Sequence, residues 1–175
     1  MLKKIILLGM MGSGKTTIGK ALSKKIQLDF YDTDQMIEKE CKLKIKRIFE
    51  KYGEQYFRKK EEKITLKILS YNKSSVISLG GGAFLNKKIQ KQILKKTVSI
   101  WLKPNFKTIY DRCKKSNRRP LIKNNCDLKL DLKKLIKERY PFYSKANLTI
   151  TLNKTPKFIS MNIIKRLNKI INLWF

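Results

Sequence analysis

The sequence contains no histidine, which removes the usual neutral-pH general base and the commonest nitrogen ligand for zinc. A histidine-based triad or zinc site has no parts here. The three cysteines, Cys41, Cys113 and Cys126, are odd in number and form no C-x-x-C pair, so free thiols in a reducing compartment are expected. Acidic residues are scarce as well: 13 Asp+Glu stand against 42 Lys+Arg, giving a formal charge of +29. Such a balance invites a nucleic-acid partner. The lysines, however, are spread along the whole chain rather than gathered in one block or tail. A general preference for lysine on solvated faces accounts for them, with salt-sensitive sticking to polyanions as its consequence. No apolar run approaches the ~18 residues needed to span a bilayer. Lys3 and Lys4 ahead of Ile5 to Leu8 imitate a secretory signal, but the segment continues into a glycine loop without a small-residue cleavage site. The expectation is a cytoplasmic protein, bound to no membrane and no specific nucleic acid, and 175 residues suit one domain.

What the chain does contain is Gly9-Met10-Met11-Gly12-Ser13-Gly14-Lys15-Thr16, a fit to G-x-x-x-x-G-K-[ST] at every fixed position. Leu2 to Leu8 before it is an apolar run of strand length, and Ile18, Ala21, Leu22 and Ile26 follow at helical spacing. Strand, glycine loop and helix N-terminus together converge backbone N–H groups and a partial positive charge on phosphate oxygens. Lys15 is placed to reach the β- and γ-phosphates, and the Thr16 hydroxyl to ligate Mg²⁺. A plain glycine turn opening a helix needs neither the lysine nor the hydroxyl. A nucleoside triphosphate is the expected ligand.

Leu28 to Tyr31 reads as a second strand ending in Asp32-Thr33-Asp34. In an extended chain the period of two puts both carboxylates on one face, at the sheet edge where open α/β folds bind ligands. An Asx cap by Asp34 on the next helix is the bland reading and is compatible with a functional one. Ile45 to Leu69 is helical with a break at Gly53, and carries Arg58, with Glu61 positioned for a competing helical ion pair. Only seven of the 42 basic residues are arginine, so arginine marks sites where a planar fork to carboxylate or phosphate matters. Val76 to Leu79 is a third strand followed by Gly80-Gly81-Gly82-Ala83, a run best justified by a ligand pressed against the main chain. Asn86 to Leu94 is a helix, Thr97 to Leu102 a strand, and Phe106, Ile109 and Tyr110 form a helix face leading to Arg112. The basic, aperiodic stretch from Lys114 to Asp127 has the length of a lid. A helix follows from Leu128 to Tyr140, with Pro141 expected to stop or kink it. Leu148 to Leu152 is the fifth strand, Asn153 to Pro156 a turn, and Phe158, Met161, Ile164, Leu167 and Ile171 the expected buried face of the last helix. The alternation predicts an α/β three-layer sandwich around a central five-stranded parallel sheet.

The phosphate loop, Asp32-Thr33-Asp34, Gly53-Glu54-Gln55-Tyr56-Phe57-Arg58, Gly80-Gly81-Gly82-Ala83, Arg119-Pro120-Leu121 and Glu138-Arg139-x-Pro-x-Tyr143 occur in that order. The series resembles the shikimate kinase family over essentially the whole chain. The resemblance implies a nucleoside-monophosphate-kinase-like P-loop fold in one domain over 1–175, with substrate-binding helices at about 34–62 and a lid at about 114–127. It implies transfer of the ATP γ-phosphate to the 3-hydroxyl of shikimate by a Mg²⁺-dependent monomer. Asp34 matches the position that binds ring hydroxyls and is the candidate base. Arg58 and Arg139 match those that hold the substrate carboxylate, helped by the backbone of Gly80, Gly81 and Gly82. Nucleotide binding is carried over to Gly12, Ser13, Gly14, Lys15, Thr16 and Thr17, with Arg112 by the adenine and Asn153 to Pro156 as the adenine loop. Asp32 supports the metal beside Thr16, and Arg119 reaches from the lid to the transferring phosphate. Ile45, Phe49 and Phe57 match the lining of the substrate pocket. A kinase for another small polyol acid such as gluconate shares loop and fold, but is not expected to show both the triple glycine and Arg139-x-Pro. A nucleic-acid-binding P-loop protein is the alternative that the charge motivates.

Overall fold

The computed structural model describes residues 4–115, 127–152 and 155–172. Ile5 to Leu8 is apolar at every position, the pattern of a strand covered on both faces. Accordingly β1 (Lys4–Leu8) is buried throughout and lies in the middle of a five-stranded sheet. The other strands are β2 (Asp29–Asp32), β3 (Ser75–Ser78), β4 (Val98–Pro104) and β5 (Leu148–Leu152). Their order is β2-β3-β1-β4-β5 and every pairing is parallel. The helices are α1 (Lys15–Lys25), α2 (Thr33–Cys41), α3 (Ile45–Ser70), α4 (Lys87–Lys96), α5 (Phe106–Lys114), α6 (Leu128–Tyr143) and α7 (Pro156–Asn172), with a 3₁₀ turn at Ala83–Leu85.

Successive side chains of a strand point to opposite faces, and the two cores divide accordingly. Ile6 and Leu8 join Ile37, Ile64, Ile93 and Leu132 on one side of the sheet. Ile5 and Leu7 join Ile18, Leu22, Ile163 and Leu167 on the other. The three-layer α/β sandwich read from the sequence is what forms.

Several local expectations are corrected. β2 ends at Asp32 and helix α2 begins at Thr33, so Asp32 and Asp34 do not share a face through strand periodicity. The α2 cap is Asp32 rather than Asp34: its carboxylate accepts from the N–H groups of Asp34 and Gln35 at 3.1 and 3.3 Å. Helix α6 runs through Pro141 to Tyr143 instead of ending at Tyr140. The carbonyl that a proline at this position cannot bond belongs to exposed Lys137, and burial of Tyr143 holds the final turn in place. On α7 the buried stripe is Ile159, Ile163 and Leu167, four residues apart, while Phe158 and Met161 are 49% and 54% exposed. The helix carries apolar residues on adjoining faces, and only packing on the sheet decides between them. The expected break in α3 does occur at Gly53, whose φ of 77° and ψ of 173° lie outside helical geometry.

Candidate active site

The carboxyl end of β1 leads straight into the glycine loop. Gly9 has φ 144°, and a Cβ there would lie 2.6 Å from the Leu102 carbonyl oxygen, so no other residue fits. Gly14, at φ 86°, is the left-handed residue from which α1 springs. Lys15 Nζ donates to the carbonyls of Gly9 and Met10 at 2.8 and 3.1 Å, which keeps the ammonium over the loop. Thr16 Oγ1 donates to Asp32 Oδ2 at 2.6 Å, tying the loop to the end of β2. The other oxygen of Asp32 caps α2, so this carboxylate serves two elements at once.

These residues border a cavity of about 680 Å³. Gly12, Gly14, Lys15, Thr16 and Thr17 form its phosphate-loop side, Asp32 and Asp34 its floor, and Arg58, Gly81, Gly82 and Arg139 the far wall. Ile45, Phe49 and Phe57 supply an apolar flank, with the rings of Phe49 and Phe57 4.7 Å apart. Other expected residues sit elsewhere. Ser13 is fully buried beneath Gly9 and Gly80 lies behind the wall. Arg112 donates from Nη1 to the Gly12 carbonyl at 2.9 Å, outside the cavity lining. Pro156 opens α7, likewise away from the lining. Arg119, Asn153 and most of the 114–127 segment lie outside the described residues.

Charge is concentrated in this hollow. Arg58 donates from Nη1 to Glu61 Oε2 at 2.7 Å, and from Nε and Nη2 to Glu54 Oε1 at 3.2 and 3.0 Å. The ion pair weighed against function at Arg58 is therefore present, and its guanidinium still reaches the cavity. Arg139 is 3% exposed, and its Nε has no hydrogen-bond partner among the described residues. A buried guanidinium with an unmet donor is a strong attractor for a planar anion. Burial, then the charges of Asp32 and Glu61, push the Asp34 carboxyl up to about 7, against the opposing pull of Lys15 and Arg58. The Asp34 residue is half-buried and opens to the cavity on one side. Glu61 is 3% exposed, and burial outweighs the attraction of Arg58 and Arg139 to hold its carboxyl above the ordinary range. The Arg58 guanidinium is displaced upward instead, since Glu61 and Glu54 together overcome its own burial. The pair thus favours the charge of the arginine more than that of the carboxylate, as fits a guanidinium with a second, exposed partner.

Glu61 is the functional candidate that sequence reasoning passed over as a mere helix partner. A Cβ built on Gly80 would lie 2.5 Å from Glu61 Oε1 and 2.7 Å from Asp34 Oδ1. The two carboxylates converge on space that only a glycine leaves open. The spacing to Arg58 was the available signal, but its burial came from the fold.

A parallel sheet of this order, with a lysine-bearing glycine loop at its central strand and an anion-binding hollow alongside, defines a P-loop phosphotransferase of nucleoside-monophosphate-kinase-like fold. The sequence profile of shikimate kinase matches residues 11–168. The chain belongs to the shikimate kinase family. It is 40% identical over 164 residues to a shikimate kinase of Bartonella henselae, covering 93% of this chain and 77% of that one. With a shikimate kinase of Thermodesulfovibrio yellowstonii it shares 37% identity over 98% of both chains. The structure of the Acinetobacter baumannii shikimate kinase in complex with shikimate superposes with a TM-score of 0.91, at 29% identity over 96% of this chain and 94% of that one. A gluconokinase of Sinorhizobium meliloti, at 11% identity and a TM-score of 0.56, shares the fold alone.

Proposed function

We propose that this protein phosphorylates the 3-hydroxyl of shikimate with ATP, releasing shikimate 3-phosphate and ADP. The observation that carries the reading is the placement of Arg58, Arg139 and Asp34 around one hollow beside the phosphate loop. Two guanidinium groups suit a small carboxylate, and Asp34 suits a hydroxyl that must lose a proton late in a loose transition state. A carboxyl whose proton affinity lies near neutrality is well matched to that task. Lys15 supplies positive charge at the transferring phosphoryl, and the role of Arg119 rests on its motif. Backbone N–H groups from Gly12 to Thr17 hold the phosphates, with Arg112, Asn153 and Pro156 towards the adenine.

Mg²⁺ fits the oxygens of Thr16 and Asp32, which already meet at the edge of the cavity. Among the described residues no group of three or more acidic, histidine or cysteine side chains could hold a metal. Mg²⁺ keeps several waters and takes the rest of its ligands from phosphate. When bound it neutralises charge on the phosphate oxygens. A single domain with substrate-binding helices at about 34–62 and a lid at about 114–127, acting as a cytoplasmic monomer, completes the reading. Among the described residues no helix is long and apolar enough to cross a membrane.

The test is ADP release with a panel of acceptors, with and without Mg²⁺. Release that requires both shikimate and Mg²⁺ is expected. Release with gluconate but not shikimate would overturn the acceptor, and release stimulated by RNA or DNA would overturn the class.

A further inference from the structure

The Gly80–Gly82 turn lies between Arg139 and the phosphate loop, and locally it is closed only by backbone bonds, from Ala83 N–H to the Gly80 carbonyl at 3.1 Å and from Leu85 N–H to the Gly82 carbonyl at 3.0 Å. Three successive glycines have the widest backbone freedom available to a chain. Two side chains from other elements tie the turn down. Thr33 Oγ1 accepts the Gly80 N–H at 2.8 Å, and the Tyr143 hydroxyl donates to the Gly81 carbonyl. Both residues are shut away from solvent, Thr33 completely and Tyr143 at 1% exposure. Thr33 lies between the two aspartates, and Tyr143 follows Arg139 by one turn of α6, so guanidinium and phenol meet the turn from the same helix face. There is little slack. A Cβ on Gly81 would lie 3.0 Å from Arg139 Nη1 and 3.7 Å from the Met11 nitrogen of the phosphate loop. A small displacement of this turn therefore moves it against both the acceptor wall and the donor loop.

We propose that Thr33 and Tyr143 are positioning residues that clamp the Gly80–Gly82 turn at its first two residues, Gly80 and Gly81, and so set the backbone surface offered to the acceptor. The inference rests on the acceptor reading above. With Gly80 N–H committed to Thr33, Gly81 and Gly82 are the part of the run that faces the cavity. Tyr143 is suited to a constant duty. Burial pushes its phenol up to about 12, so it remains a donor at every pH at which the enzyme works. Its ring packs beside Trp101 and Tyr140, at centroid distances of 5.9 and 6.4 Å, and phenylalanine preserves that packing while deleting the hydroxyl, which also meets Arg139. Thr33→Val and the exchange measurement therefore separate the clamp from that contact.

The experiment compares Tyr143→Phe, Thr33→Val and Thr33→Ser with the wild type. In both donor- or acceptor-deleting variants KM for shikimate rises about tenfold, the effect of one lost buried hydrogen bond. KM for ATP stays within about twofold, because uniform loss of fold would move both constants. Thr33→Ser retains the wild-type shikimate KM. Amide exchange of the glycine turn, followed without any ligand, quickens about tenfold in Tyr143→Phe and Thr33→Val. Unchanged exchange and unchanged shikimate KM overturn the clamp, as does an equal rise in both KM values. Should Thr33→Val fail to fold, Tyr143→Phe and Thr33→Ser still decide the matter. A wild type that does not turn over shikimate strikes the functional reading instead, while the exchange measurement continues to judge the clamp.

Discussion

Replacing Asp34 by asparagine should abolish function and strengthen the fold, and the two effects have one electrostatic origin. The Asp34 carboxyl is raised from 3.8 to about 7, chiefly by burial and then by Asp32 and Glu61. Between those two values the folded protein holds a proton that the unfolded chain releases, so stability falls as pH rises through the window. Above about 7 the fold carries the full penalty of the enclosed charge. A shift of that size corresponds to roughly 4 kcal/mol at about 1.4 kcal/mol per unit. Because Asp34 opens onto the cavity, screening by water reduces this to about 2 kcal/mol. The asparagine side chain carries no charge, so Asp34→Asn gains that stability at pH ~8. For a chain of this size the gain appears as a rise in Tm of about 4–8 °C. The gain shrinks as pH falls from about 7 towards 3.8, and is gone below that value, where the wild-type carboxyl is neutral in both states. Turnover with shikimate should drop by about 10²–10⁴-fold, the usual contribution of a general base. Calorimetry across pH ~4–8 and a coupled ADP assay read the two effects separately. A variant with no Tm gain at the alkaline end, or one gain at every pH, refutes the electrostatic account. Near-normal turnover refutes the assignment of the base.

Arg139→Lys keeps the charge but loses the planar fork, and should weaken shikimate binding by about 10- to 100-fold with ATP binding unchanged, as titration calorimetry would show. Comparable affinity in the variant would mean that Arg139 supports the fold only. Gly82→Ala places a Cβ 2.4 Å from Arg58 Nη1. The whole guanidinium must shift off its buried partner Glu61, so Tm should fall and the shikimate KM should rise about tenfold or more. A wild-type KM in that variant would detach Arg58 from the acceptor.

The chemistry-bearing spacings were readable because they are fixed by the ligand rather than by tertiary packing. Gly9, Gly14, Lys15 and Thr16 must follow one another for the loop to work, and each occupies its expected place. The central strand was also readable, since a parallel strand buried on both faces leaves a short apolar run such as Ile5 to Leu8. What escaped the sequence depended on neighbours brought from afar. Phe158 and Ile159 are both apolar, and nothing local reveals that Ile159, Ile163 and Leu167 are the ones facing the sheet. Pro141 was expected to stop or kink α6 because the requirement to bury Tyr143 is invisible in the chain. The elevated proton affinity of Asp34 comes first from its burial by the fold, then from Asp32 and from Glu61, far along the chain on α3. Thr33 and Gly80 are separated by 47 positions and Gly81 and Tyr143 by 62, so neither hydrogen bond has a local signature.

The hollow also explains why a chain so poor in acids concentrates several of them around its arginines. In the structure every nitrogen of Arg58 donates to a glutamate: Nη1 to buried Glu61, Nε and Nη2 to Glu54. Three of its five N–H donors are used in this way, and an incoming carboxylate that takes the remaining ones competes with both glutamates for the same charge. Glu61 is 3% exposed and held between Arg58 and the space over Gly80, whereas the Glu54 side chain is 54% exposed. An exposed pair of this kind contributes only about 0.2–1 kcal/mol, far less than a buried one resists being broken. Glu54 is thus the partner that yields, and it serves until then to hold the fork extended. The two roles oppose each other in binding: Glu54→Gln removes a competitor but also loosens the side chain that must be aimed. Since the competing pair is exposed and the aim is kept by Glu61, the first effect prevails. Shikimate affinity should rise by roughly two- to fivefold in Glu54→Gln, the equivalent of that weak pair. The gain should vanish at high ionic strength, where the wild-type pair is already screened. A fall in affinity of about tenfold or more would show instead that Glu54, not Glu61, aims the guanidinium.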